Sequence, residues 1–321
     1  MSATDQLSDA DDAPLSLGVS AAVTDDKTRE ASSLAAAQAV ARGYGVACDK
    51  AVPIAAGSNA LVHLKPAPVV ARVMTATAVL HDDAEQWLAR EVAVAAFLAE
   101  RTDLVVPPSD ILPPGPHEQD GLWMTLWKFV PHDAQAPPPE PRELGRSLRE
   151  LHAALADFPG DLAPLSELRD WLERLLAELR PSPSLTRQDI DWLRLKLDAL
   201  TPAVFESSLP AQALHGDASM SNLLRTESGL VWNDLEDVCA GPVAWDICGL
   251  VTSARARGRS ATFIEELLAA YGDPGVEDLG AFLEAHALYY VVWQAFEGRR
   301  RPRAMERAAA SLALLREGRA G

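Results

Sequence analysis

The sequence has few cysteines, and they are not arranged in a recognisable pattern. Its 321 residues include Cys48, Cys239 and Cys248, and none of them forms a C-x-x-C pair. An odd number without that spacing does not suggest a disulfide framework. The seven histidines are scattered without zinc-ligand spacing. We therefore expect a reducing, cytoplasmic compartment and no zinc site.

Basic residues are also scarce. Lys and Arg number 29 against 46 Asp and Glu, which gives a formal net charge of -17. Nucleic-acid binding depends on Lys and Arg that neutralise phosphates, so nucleic acid is not an expected partner. An acidic surface favours a cationic small molecule. It also keeps a protein soluble, and the charge alone does not separate these two explanations.

Long apolar runs are missing as well. No continuous apolar segment is long enough to span a bilayer, so no membrane contact is expected. The N-terminus lacks the basic-then-apolar order of a secretory signal. Aromatic residues make up only 6%, whereas the hydrophobic fraction of 48% is ordinary for a globular chain rich in Ala and Leu. Such a composition favours helix. For the oligomeric state, we expect a monomer or a homodimer.

Composition divides the chain into three segments. Residues 1–26 are rich in Ser, Asp, Ala and Thr and predict a disordered acidic tail. Residues 27–130 combine short β-branched segments with one long helix at 84–100, which predicts a small antiparallel sheet. Its strands are predicted at 46–54, 61–64, 69–74, 104–112 and 121–130. Residues 131–321 begin with a proline-rich connector and then read as mainly helical. The length suits two lobes of an α+β protein.

One stretch of the helical part is the most informative of the chain. His215, Gly216 and Asp217 begin an H-x-D-x-x-x-x-N pattern that ends at Asn222, and Asp234 follows after a predicted hairpin. Kinases use an Asp, an Asn five residues later and a second Asp one strand further on. The first Asp takes the proton of the attacking hydroxyl, and the other two residues offer the hard oxygen ligands that Mg²⁺ prefers. The pattern predicts a phosphotransferase.

Three nearby residues are candidates for a supporting role. We expect His215 to hold the loop through its ring nitrogens rather than to exchange protons. Asp246 begins a helix and can accept hydrogen bonds from backbone N–H groups of the loop, although a helix N-cap is an equally good explanation. Glu236 could assist the metal or the acceptor, and a solvated acidic turn explains it at least as well.

Signals for phosphate binding in the first lobe are weaker. Gly57, Ser58 and Asn59 belong to a predicted small-residue turn whose backbone amides could cover nucleotide phosphates, although such turns are common. Arg72 is a cation in an apolar strand and could bind phosphates while it pairs with a Glu of the next helix. Glu91 is the best partner and Glu85 the second. The alternative is an Arg that faces outward from a half-exposed strand.

Aromatic residues supply two further candidates. Trp127 and Phe129 belong to a segment that could run into a hinge and contact adenine through its backbone, although core packing is the commoner role. Tyr289 and Trp293 recur at helical spacing with Glu297 and could line an acceptor cleft. A stripe of that kind is more often part of the core, and we expect it to be core here.

Residues 214–246 resemble the family of aminoglycoside phosphotransferases and choline kinases. The matching residues are His215-Gly216-Asp217, Asn222, Asn233-Asp234-Leu235-Glu236, Gly241-Pro242 and Asp246. The resemblance implies a bilobal protein-kinase-like fold, with ATP or GTP as phosphate donor and Mg²⁺ as cofactor. It implies Asp217 as catalytic base and Asn222 with Asp234 as metal ligands.

The same resemblance implies an acceptor that is a small hydroxyl compound, such as an aminoglycoside, an amino alcohol or a sugar. Two positions depart from the family. Arg72 stands where the phosphate-binding lysine is expected, and an arginine is a fork whereas a lysine is a point charge. Leu235 replaces the usual tryptophan. Neither departure removes a metal ligand.

Two other functions have to be weighed against a small-molecule kinase. A nucleotide-binding regulator or scaffold that has lost catalysis would have the same fold. The weak signals of the first lobe favour it, and the intact Asp217, Asn222 and Asp234 disfavour it. A metal-dependent phosphohydrolase that uses His215 and Asp217 would need more His and Asp ligands than this chain offers. The sequence therefore favours the kinase.

Overall fold

The computed structural model describes residues 26–56, 59–75, 83–133 and 135–318. The predicted acidic tail, apart from Asp26, lies outside the described residues, and so do Gly57 and Ser58. In the described part of the chain, no helix combines the length and apolarity needed to cross a membrane.

The first lobe is a five-stranded antiparallel sheet with two helices. Its elements are α1 (Asp26–Gly43), β1 (Cys48–Ala56), β2 (Asn59–Pro66), β3 (Val69–Met74), α2 (Ala84–Ala99), β4 (His117–Gln119) and β5 (Leu122–Lys128). The strand order is β1-β2-β3-β5-β4. Successive side chains of a strand point to opposite faces. Ala71 and Val73 therefore pack in the core beneath α1, and Arg72 between them points to the other face, beside α2.

One prediction for this sheet is wrong. Residues 104–112 do not form a strand; they run as an irregular segment with isolated bridges from Val105 to Trp232 and from Pro108 to Trp127. Pro107 and Pro108 lack the N–H groups that a ladder needs, which explains the break despite the β-branched residues before them. The fourth strand is instead β4, whose three residues pair with β5. It is too short to show a periodic pattern.

The second lobe is mainly helical, as predicted. Its elements are α3 (Pro141–Leu155), α4 (Ser166–Glu178), α5 (Arg187–Val204), β6 (Gln212–Leu214), β7 (Leu223–Thr226), β8 (Gly229–Trp232), β9 (Cys239–Gly241), α6 (Ala244–Ala256), α7 (Ala261–Tyr271), α8 (Gly280–Glu297) and α9 (Pro302–Arg316). Leucines of α4 and α5 pack against α8 in a large apolar core. The predicted α+β class with two lobes is confirmed.

Two small β-structures interrupt this helical lobe and carry the motif. β6 pairs with β9, and β7 pairs with β8 in a hairpin whose register sets Leu223 opposite Trp232. At the open end of the hairpin, Asn233 N donates a hydrogen bond of 3.0 Å to Asn222 O. The hairpin therefore brings Asn222 beside the residue that precedes Asp234, as the sequence predicted.

Candidate active site

Asp246 fixes the backbone of the loop between β6 and β7. Its side chain is 1% exposed and accepts hydrogen bonds from His215 N at 2.7 Å and Gly216 N at 3.0 Å. His152 Nε2 lies 3.0 Å from the same carboxylate. Burial alone would raise the pKa of Asp246, but the bonds from His152 and His215 outweigh it and lower the pKa. The predicted backbone bonds are confirmed, and helix α6 begins without a side-chain cap.

His215 ties the same loop to the hairpin. Its ring is fully buried, and Nε2 donates to Asn233 O at 3.1 Å. Burial lowers the pKa of His215, so the ring is neutral. Gly216 has φ of +86°, and an added Cβ would lie 1.8 Å from Asp237 O, so only glycine fits there. The predicted structural role of His215 agrees with this geometry.

Asp217 and Asn222 face each other across the loop. Asn222 Nδ2 donates to Asp217 Oδ2 and to Asp217 O, both at 2.9 Å. Since the amide nitrogen is used in this way, its oxygen is the group that Asn222 can offer to a cation. Burial and the charge of Asp234 raise the pKa of Asp217 to about 7, so this carboxyl is poised to exchange a proton near neutral pH.

Asp234 is the N-cap of a short 3-10 helix, Leu235–Asp237. Its own backbone is left-handed, with φ of 63° and ψ of 58°. A non-glycine residue rarely adopts this backbone, and it is frequent at functional sites. The side chain keeps 30% of its surface exposed. Even so, burial by the surrounding lobes and the charge of Glu236 raise the pKa of Asp234 to about 7. Asp234 is thus an accessible carboxylate in a site with excess negative charge.

Arg72 lies opposite these carboxylates, on β3. It is 4% exposed and makes ion pairs with Glu91, Glu236 and Asp234, the last at 3.3 Å. Burial would lower the pKa of Arg72, but Glu91 and Glu236 outweigh it and raise the pKa. The predicted pair with Glu91 is confirmed, and the second choice, Glu85, is not the partner. An outward-facing Arg72 is excluded by its burial.

Glu236 is not a solvated acidic residue. It is 7% exposed, and its carboxylate accepts hydrogen bonds from Arg72 Nη1 and from Asn59 Nδ2, the latter at 2.9 Å. These two hydrogen bonds, both from side chains of the first lobe, compensate the carboxylate for the water that it loses on burial. The sequence grouped Asn59 with Gly57 and Ser58 as a possible backbone donor, but it did not indicate that the Asn59 side chain would reach Glu236.

A cavity of about 330 Å³ opens between the lobes beside Arg72 and Asp234. Trp127 and Phe129 both line it. Trp127 Nε1 is already bonded to Thr125 Oγ1 at 2.9 Å, and the Phe129 ring stacks on His63 with centroids 4.1 Å apart. Phe129 N donates to Pro68 O at 2.8 Å. The backbone amide of Phe129 is therefore occupied and cannot serve as the hinge donor to a base.

A second cavity of about 350 Å³ lies on the other side of the catalytic loop. Gly216 and Asp237 form its inner end, and aromatic rings form its walls, namely Trp87, Trp171 and Tyr289. Burial and then the charges of Asp237 and Asp217 raise the pKa of Tyr289, which shows that its hydroxyl lies near these two carboxylates. Tyr289 packs against the helical core, as expected, and its ring, which stacks on Trp171, also lines the cavity.

The donor set suits a magnesium ion that is completed by phosphates. Among the described residues, no group of three or more His, Cys, Asp or Glu side chains is arranged to hold a metal by itself. Magnesium commonly takes one or two protein ligands and fills its other positions with water and phosphate oxygens. Asn222 and Asp234 fit that pattern. Arg72 already has three acidic partners, namely Glu91, Glu236 and Asp234, and Asp217 lies near Asp234. The site therefore has more negative than positive charge, which a divalent cation would offset.

Residues 52–284 match the model of the Phosphotransferase enzyme family. The chain belongs to this family. Its activity is therefore transfer of a phosphoryl group to an alcohol group of a small molecule. No curated protein sequence matches the chain.

Solved structures show that this phosphotransferase shares its fold with small-molecule kinases. A microcompartment-associated aminopropanol kinase is 19% identical, with a TM-score of 0.64 over 88% of this chain and 96% of that chain. Amicoumacin kinase hAmiN, in complex with AMP-PNP, Ca²⁺ and Ami, is 12% identical, with a TM-score of 0.66 over 90% and 96%. APH(2")-IIia, in complex with GDP and kanamycin, is 17% identical, with a TM-score of 0.60 over 90% and 98%. The protein-kinase-like fold is confirmed.

Proposed function

We propose that this phosphotransferase uses Mg²⁺ and ATP, or GTP, to phosphorylate a hydroxyl of a small, polar and cationic acceptor. The observation that carries the proposal is the convergence of Asp217, Asn222 and Asp234 between two cavities. One cavity contains Arg72 and suits a nucleotide, and the other borders Gly216 and Asp237 and suits an acceptor.

In this proposal Asp217 orients the acceptor hydroxyl and takes its proton. Its pKa of about 7 supports the role, since a base near neutral pH is both deprotonated and able to accept a proton. His215 and Asp246 keep the loop in place. Asn222 and Asp234 would hold Mg²⁺, which when bound neutralises the charge that develops on the transferred phosphoryl group.

The donor would lie in the nucleotide-binding lobe, residues 27–130. Arg72 would contact its phosphates while Glu91 holds the guanidinium. Trp127 and Phe129 would border the base, and Gly57 and Ser58 would cover the phosphates with their backbone amides. Similar structures contain either GDP or AMP-PNP, so both ATP and GTP remain in the proposal.

The acceptor cavity supports a cationic compound. Among the described residues that line it, the acids Asp83, Glu167, Asp170 and Asp237 outnumber the arginines Arg90 and Arg174. Trp171 Nε1 is buried without a hydrogen-bond partner, and the Trp171 ring forms part of the cavity wall. Amines bind well between carboxylates and aromatic faces. Aminopropanol and kanamycin, named for two similar structures, are compounds of this kind.

An inactive nucleotide-binding regulator finds no support in the site, because Asp217, Asn222 and Asp234, the residues proposed for catalysis and metal binding, are all present and lie close together. The cytoplasmic compartment, the monomeric or homodimeric state and the absence of nucleic-acid partners remain expectations from composition.

The test is release of ADP or GDP over a panel of amino alcohols, aminoglycosides and neutral sugars, with wild type and Asp217→Asn compared. We expect release that depends on one amine-bearing acceptor and is lost in the variant. Release with neutral sugars alone contradicts the cationic acceptor. No acceptor-dependent release across the panel, while Mg–nucleotide still binds, contradicts the proposed acceptor class.

A further inference from the structure

Arg72 is held at two ends, which a lysine in its place could not be. Nη2 bonds Glu91 of α2, and Nη1 bonds Glu236 of the other lobe. A guanidinium is a planar fork with separate donors, whereas an ammonium is one compact charge. The arginine therefore spans Glu91 on one side and Glu236 on the other, with Asp234 as a third and longer partner at 3.3 Å. Glu236 is the residue for which the sequence offered no definite role.

Glu236 depends on this arrangement for its burial. A buried carboxylate is costly unless it is paired and hydrogen-bonded. Glu236 obtains its partners from Arg72 and Asn59, both in the first lobe. Asn59 is the first residue of β2 and directly follows Gly57 and Ser58 in the sequence. Glu236 thus fixes both the arginine and the first residue of β2.

We propose that Glu236 is a positioning residue for the phosphate donor, which acts through Arg72 and Asn59. This inference rests on the proposed function. Glu91 and Glu236 hold the guanidinium from both sides. Arg72 can then bind the donor phosphates as a lysine paired with one Glu would. Glu236 contacts neither the acceptor nor the transferred phosphoryl group.

This geometry makes a specific prediction about paired substitutions. In Arg72→Lys the single ammonium pairs with Glu91, so Glu236 is left as a buried carboxylate without a cation of its own, next to the place where phosphates bind. Glu236→Gln in the same chain removes that unpaired charge. The second substitution is therefore harmful when Arg72 is present and beneficial when a lysine has replaced it. Two residues with independent roles would show losses that multiply.

The experiment measures the Kd of Mg–ATP and of Mg–GTP by calorimetry for wild type, Glu236→Gln, Arg72→Lys and the double variant. Glu227→Gln, on the exposed turn between β7 and β8, is the matched control. We expect Glu236→Gln to raise the Kd about tenfold, the effect of one charge-assisted hydrogen bond. Arg72→Lys raises it further, the double variant binds better than Arg72→Lys alone, and the control equals wild type.

Melting temperatures without nucleotide separate positioning from folding. If Glu236→Gln does not fold, Asn59→Ser tests the other bond, and we expect it to raise the Kd while the pair between Arg72 and Glu91 is kept. A double variant whose loss is the product of the two single losses overturns the inference and leaves the proposed function intact. A wild type that binds neither nucleotide overturns the proposed function and, with it, the role of Glu236.

Discussion

The most consequential single residue outside the reacting groups is Asp246, and its replacement by Asn gives a quantitative prediction. The carboxylate accepts three hydrogen bonds, from His152 Nε2, His215 N and Gly216 N. An amide has the same shape, but one of its two ends is a donor. In Asp246→Asn that end faces a backbone N–H group, and the remaining bonds lose the help of the negative charge.

The magnitude follows from these bonds. One buried N–H without an acceptor, together with the weakened bonds to the other two donors, costs about 3 kcal/mol. A chain of this size loses roughly 2 °C of melting temperature per kcal/mol, so we expect a decrease of about 6 °C. Because the pKa of Asp246 is lowered by its partners, this stabilisation is present at pH 7 and is lost only as the pH falls below the ordinary carboxylate range.

The assay is thermal unfolding at pH 7, followed by circular dichroism, for wild type and Asp246→Asn. Asp157→Asn is the matched control, because Asp157 is exposed on the loop after α3, and we expect it to melt within about 1 °C of wild type. An Asp246→Asn protein that melts like the control would refute the claim that this carboxylate holds the catalytic loop.

Three further predictions concern the same loop and its surroundings. Asp217→Asn lowers kcat by about 10² to 10⁴ for whichever acceptor is found, because the base is lost, and leaves the Kd of Mg–nucleotide nearly unchanged; calorimetry that shows lost nucleotide binding would contradict the assigned role. Gly216→Ala costs at least about 3 kcal/mol in chemical denaturation, because its Cβ would lie 1.8 Å from Asp237 O. Gly121→Ala, also at positive φ but with open space around it, costs only about 1 to 2 kcal/mol, and equal losses would argue against the clash. Burial lowers the pKa of His286 to about 4, so the folded state resists a proton that the unfolded chain accepts below about pH 6.5. The free energy of unfolding therefore decreases by about 3 kcal/mol as the pH drops from 6.5 to 4. Denaturant titrations of His286→Leu should show a pH dependence smaller by this amount, and a pH dependence equal to that of wild type would be the contrary result.

The parts of the site that the sequence predicted depend on short-range geometry. Asp217 and Asn222 share one loop, and a single hairpin returns the chain to Asp234. The pair of Arg72 with Glu91 joins a strand to the helix that follows it. In each case turn signals and side-chain alternation constrain the distance, so the residue types alone were enough to infer the neighbourhood.

The parts that it missed depend on how the two lobes meet. Asn59 and Glu236 are far apart in the chain, and neither local sequence indicates the other. The aromatic walls of the acceptor cavity come from α2, α4 and α8, whose rings meet only after the helices pack. The sequence therefore left Glu236 between an assisting role and a solvated acidic turn, and it favoured a core position for Tyr289, because burial depends on how the lobes pack and not on the local segment.

The most direct test of the metal and phosphate site is thermal melting with and without Mg–ATP and Mg–GTP, on wild type and Asp234→Ala. A ligand that binds only the folded state raises the melting temperature. We predict that at least one nucleotide stabilises wild type only when Mg²⁺ is present, and that Asp234→Ala loses this shift. An Asp234→Ala protein that is stabilised as strongly as wild type, or a wild type that neither nucleotide stabilises, would contradict the assignment of this site.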